Sequence, residues 1–163
     1  MTRRRPYASL ITMNGLAAWI GMAVFVAAVI APAAFAVLPT RALAGALVGR
    51  ALPVLFVSGI VLGAAVIALH ATVMRVAALG GLVLLAGNSV ALMIENRLHA
   101  LLVSLGAPID SIALTDPRRL AFGRMHGLSV LMMAIGLLGA SVALVVLMRH
   151  VSVEPAAQSS AVS

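Results

Sequence analysis

Residues Met125 to Met148 read MHGLSVLMMAIGLLGASVALVVLM, twenty-four positions without one Asp, Glu, Lys or Arg. A helix that crosses a bilayer needs about 20 such residues, whereas a soluble strand needs far fewer. Working outward, the same kind of run occurs three more times. One follows Asn14 and reaches Leu38, where Pro39-Thr40 ends it. A second covers about Ala51 to Leu69, and a third about Val76 to Ile94. The pattern predicts an all-α fold, an integral membrane four-helix antiparallel bundle. A basic segment over residues 1–13 precedes this domain at 14–150, and a Ser/Ala-rich tail expected to be disordered follows at 151–163.

Composition agrees. Hydrophobic residues make up 63% of the 163-residue chain and charged residues 9%, too few polar groups to cover a globule in water. The chain has no cysteine, which excludes disulfides, thiolate metal sites and Cys nucleophiles. The net charge is +7 and every basic residue is Arg. These arginines stand at the ends of apolar runs rather than in a patch interleaved with aromatics. They read as interfacial anchors, and no nucleic-acid partner is expected.

Local signals sharpen the boundaries. Asp116-Pro117 is a capping residue followed by proline at the first helical position, so the fourth helix starts near Pro117. Thr40 caps a second helix that begins before its apolar run and carries Pro53 as a kink. Gly106-Ala107-Pro108 stops the third helix near Leu105. Gly59 with Gly63, and Gly136 with Ala140, have the spacing that lets helix backbones approach in lipid, read here as packing within the bundle. Arg3, Arg4 and Arg5, the apolar run after them and Ala34-Phe35-Ala36 share features with a secretory signal peptide. The run is long for a signal segment, and it is read as a retained first span.

Three stretches resemble the transmembrane protein 205-like family, also called domain of unknown function 4149. They are Trp19-Ile20-Gly21 with Ala31-Pro32-Ala33-Ala34-Phe35, then Ala44 to Pro53, then Phe122-Gly123-Arg124-Met125-His126-Gly127-Leu128-Ser129. The last is the most specific string. The chain departs from the family's pattern at Met132-Met133 and at Glu95-Asn96-Arg97. The resemblance implies a four-helix membrane protein and carries no reaction.

Polar residues inside a bilayer are costly and concentrate at functional places. Asn88 is the intramembrane polar residue of the third span. Glu95 follows seven positions later on the same face, and His99 one turn beyond. Alternating topology puts Glu95, His99, Asp116, Arg124 and His126 at one side of the membrane, with Ser129 one turn deeper. This is the candidate polar cluster, read either as interfacial anchoring or as a small site for protons, a metal ion or an anion. Its expected geometry has Arg124 and His126 facing inward and Glu95 or Asp116 within salt-bridge reach of one of them. His70 and His150 end spans at the opposite side and read as interfacial rather than as haem ligands. The scattered methionines read as core filling. No phosphate loop, zincin motif or nucleophile elbow occurs, so no catalytic residue, no metal and no cofactor is expected.

The expected protein is therefore a multi-pass, non-enzymatic membrane protein. Its expected partners are the lipid bilayer and other membrane proteins or a second copy of itself. The alternative is a small transporter or ion- or metal-handling protein using the cluster. A bacterial inner-membrane location with a cytoplasmic N-terminus is expected from Arg3, Arg4 and Arg5. The whole-chain count is nearly even, five arginines on that side against six on the other.

Overall fold

The computed structural model describes residues 5–159 apart from residue 73, with side chains for 7–151 apart from the same residue. The chain is helical almost throughout: α1 (Arg5–Phe25), a π-helical turn (Val26–Ile30), α2 (Ala31–Val37), α3 (Arg41–His70), α4 (Arg75–Leu105), a 3₁₀ turn (Ile109–Ser111) and α5 (Pro117–Ser159). Four segments, 7–37, 41–70, 75–105 and 117–151, are long and apolar enough to cross a membrane. Short connections make successive spans antiparallel. Helix α1 begins inside the basic N-terminal segment, and the backbone of α5 stays helical to Ser159, inside the tail expected to be disordered. Residues 160–163 of that tail lie outside the described residues, as do Arg3 and Arg4.

The capping signals act as their chemistry requires. Thr40 accepts from the Leu43 N–H and opens α3. Asp116 accepts from the Arg118 N–H at 2.8 Å and opens α5. Gly106 takes the left-handed conformation, φ 61°, and closes α4. Proline explains the feature with no sequence expectation, the π turn. Pro32 has no N–H, and its ring would collide with the carbonyl of Ala28. The preceding backbone widens instead, so that the Ala31 N–H reaches back five residues to the Val26 carbonyl.

Helix α4 lies between α3 and α5, and glycine sets how close they come. A Cβ on Gly63 would stand 2.7 Å from the Gly81 carbonyl oxygen, and one on Gly80 would stand 2.6 Å from that of Gly139. At Gly87 the obstacle would be the Met132 carbonyl oxygen, at 2.8 Å. Each is backbone against backbone, so only a missing side chain permits the contact. Leu16, Trp19 and Ala23 of α1 complete the core with Leu55, Val66, Leu84, Ala140, Ala143 and Leu147. The outer surface is apolar too: Val54, Val61, Leu79, Val103 and Leu138 are exposed, as lipid-facing residues are.

Candidate functional site: a polar mouth and a buried amide

Glu95 sits ten residues before the end of α4, half-buried, where α3, α4 and α5 meet. Its carboxylate lies within electrostatic reach of His126 and His99. On the α3 side it packs against Gly49, whose Cβ would stand 3.6 Å from Glu95 Oε1. Pro53 lacks an N–H, so the carbonyl four residues earlier, that of Gly49, loses its donor within the helix. Glu95 packs beside this stretch of α3.

The structure corrects the expected orientation and pairing. Arg124 and His126 are exposed rather than inward-facing. The His126 ring stacks flat on Phe122, centroids 6.1 Å apart and planes 3° from parallel. The reason is position along the axis: His126 shares a helix face with Ser129, but burial on α5 begins only at Ser129, one turn later, and continues through Gly136 and Ala140. Neither Glu95 nor Asp116 forms a salt bridge with Arg124 or His126; among the described residues no cation lies within 4.0 Å of Glu95. Asp116 instead holds Arg118 at 2.9 Å. Hydrogen bonds from the Arg118 side chain and backbone hold its carboxyl down at about 2. Arg119 donates to the Ile112 carbonyl at 2.6 Å and stands 3.9 Å from Asp110. These arginines fasten the link between α4 and α5. His99 is exposed on α4 and enters the mouth through its electrostatic proximity to Glu95.

Behind this mouth, Asn88 is 0% exposed. Its side chain fills the space left by two glycines: a Cβ on Gly59 of α3 would stand 2.7 Å from Asn88 Cγ, and one on Gly136 of α5 would stand 2.8 Å from its Nδ2. Nδ2 donates to the Leu84 carbonyl at 2.8 Å, while Oδ1 is buried with no hydrogen-bond partner. Asn88 thus occupies the junction of all three helices.

At the opposite end His70 closes its span, as expected, but it is buried against protein, 4% exposed. Its Nε2 lies 3.5 Å from Thr12 Oγ1, and the Thr12 hydroxyl donates to the Ala8 carbonyl at 2.8 Å. The hydroxyl proton is thereby committed, so the Nε2–H tautomer of His70 donates to Thr12. Exposed His150 lies within electrostatic reach of His70. Trp19, noticed in the sequence only for its family resemblance, donates from Nε1 to the Leu55 carbonyl at 3.0 Å. Its signal was available: a single Trp in a span, with an N–H that lipid cannot satisfy. Among the described residues, His, Asp and Glu form no group of three able to hold a metal ion.

These features define a multi-pass membrane protein built as a four-helix bundle. The chain belongs to the family described as Domain of unknown function (DUF4149), which matches residues 15–103, more than half of its length. The match covers the Trp19 and Ala44–Pro53 stretches but stops before Phe122–Ser129, and it does not carry the transmembrane protein 205-like name. No curated protein and no solved structure matches the chain.

Proposed function

We propose that this chain is a non-enzymatic membrane protein that works through contacts of its helices with lipid or with other membrane proteins, a second copy included. The observation carrying this reading is the seam of α3, α4 and α5. Glycine-mediated backbone contacts at Gly63–Gly81, Gly80–Gly139 and Gly87–Met132, with Asn88 plugging the junction, fill the space a solute would have to cross. The open surface of the molecule is its apolar exterior. Reconstituted into vesicles, the protein is expected to leave an imposed pH gradient intact. A proton or ion flux that Glu95→Gln abolishes would overturn the reading.

A second reading rests on one specific observation: the half-buried Glu95 carboxylate near His126 and His99, with no cation in salt-bridge contact. A group in that position is suited to taking up a proton or cation at one membrane face, without a path across. For localisation, the proposal is a bacterial inner membrane with the N-terminus in the cytoplasm. A reporter fused to the N-terminus and active only outside the cytoplasm would reverse that orientation.

A further inference from the structure

An apolar groove of about 330 Å³ opens on the outer surface between the end of α3 and the start of α4. Ile67 and Ala71 form one wall, Ala78, Leu79 and Leu82 the other, and Arg75 stands with them as the one charged residue. From Arg75 to Leu82 the groove runs along α4 for about 10 Å, at 1.5 Å per residue. It starts at a span end and passes toward the interior of the bilayer. We infer that this groove is a binding site for an anionic phospholipid, one acyl chain lying along Ala78, Leu79 and Leu82 and the phosphate on the Arg75 guanidinium.

Charge complementarity selects this occupant. Arg75 is exposed and has no hydrogen bond or ion pair among the described residues. No acidic side chain occupies the first turn of α4. Every carboxylate with a described side chain, Glu95, Asp110 and Asp116, belongs to the other end of the bundle, whereas this end carries Arg75, Arg149 and His150. Glu154 follows in the tail, outside the described side chains. A guanidinium at a span end with no carboxylate beside it among the described side chains takes a lipid phosphate, and planar bidentate geometry suits it to one. The apolar walls add selectivity for a chain-bearing ligand over a free phosphate.

This site rests on the contact reading above and names a ligand class for it. The test is native mass spectrometry of the full chain in mild detergent. Phosphatidylglycerol, phosphatidylcholine with the same acyl chains, and glycerol phosphate are titrated in turn. Phosphatidylglycerol is expected to bind about fivefold more tightly than phosphatidylcholine, the gain of one basic residue near anionic lipid. Glycerol phosphate should not bind. Arg75→Gln should erase the preference while Arg75→Lys keeps most of it, and Ala78→Phe or Ala71→Phe, filling either wall, should lose both lipids. Equal retention of the two lipids, a preference that survives Arg75→Gln, binding of glycerol phosphate alone, or no loss on filling the groove would each overturn the assignment. Any of these leaves the vesicle result on ion flux standing, so the two proposals fail separately.

Discussion

The helices of the α3, α4 and α5 seam and the first span are of similar apolar character, yet they are held by different means. In the seam, glycines bring backbones together and an amide, Asn88, is enclosed between Gly59 and Gly136. Neither described glycine of the first span meets another backbone: a Cβ on Gly15 would stand 3.1 Å from the Leu62 side chain. It attaches through core side chains such as Leu16 and Ala23 and through two polar links, Trp19 to the Leu55 carbonyl and Thr12 to His70. Gly21 has open space beside it, and Met22, Phe25 and Phe35 are exposed. In lipid, burying apolar surface gives a helix no preference for protein over tails. Closeness of approach and polar links decide which helices form one rigid body.

Substitutions can break the seam or loosen the first span selectively. The largest effect is expected from Gly80→Ala, because the new methyl would meet the Gly139 carbonyl and neither backbone can yield. Overpacking of that kind costs about 1–3 kcal/mol, read as a lower melting temperature in detergent. An unchanged melting temperature would mean that the helices do not touch there. Asn88→Ala should cost less, ~1 kcal/mol, since lost packing is partly offset by removing an oxygen without a partner. A stabilised variant would show that the amide is tolerated rather than used. Trp19→Phe removes the link to Leu55, about 0.6 kcal/mol by the average for hydrogen bonds between helices in membranes, together with part of a buried ring. It should raise thiol accessibility of cysteines placed on α1 but not of those on α5; equal changes on both would erase the contrast. The smallest effect belongs to Asp116. Its carboxyl titrates at about 2 instead of 3.8. The cap is therefore fully present above about 3.8 and lost as pH falls toward 2. Amide exchange at the start of α5 should accelerate in that window and not above it; a rise already at neutral pH would contradict the cap.

Much of this was legible in the sequence, for identifiable reasons. The four spans follow from apolar run length alone, and Asp116-Pro117, Thr40 and Gly106 fixed helix ends because capping chemistry is local. Asn88 was legible as a deep polar residue because it falls near the middle of the apolar run from about Val76 to Ile94. The exposure of His126 was not, since it shares the face of Ser129 and nothing local in α5 records where its neighbours begin to cover that face. Arg118 and Arg119 took the carboxylates because a partner two residues away, or across a short loop, is nearer than one on another helix. The burial of His70 depends on how α1 docks, which periodicity in α3 does not record. The closeness of Gly80 to Gly139 was also out of reach, because glycines occur throughout and only a register between helices picks one pair out.

The contrast between a rigid seam and a separately held first span is open to direct measurement, because the chain has no cysteine of its own. Spin labels can be placed on exposed positions Met93 and Leu138, one on α4 and one on α5, and on Met22 and Leu138 to pair α1 with α5. Pulsed electron–electron double resonance in lipid nanodiscs then gives both distance distributions. A single narrow distribution is expected for Met93–Leu138 and a clearly broader one for Met22–Leu138, broader still in Trp19→Phe. Equal widths for the two pairs, with no response to Trp19→Phe, would contradict the account.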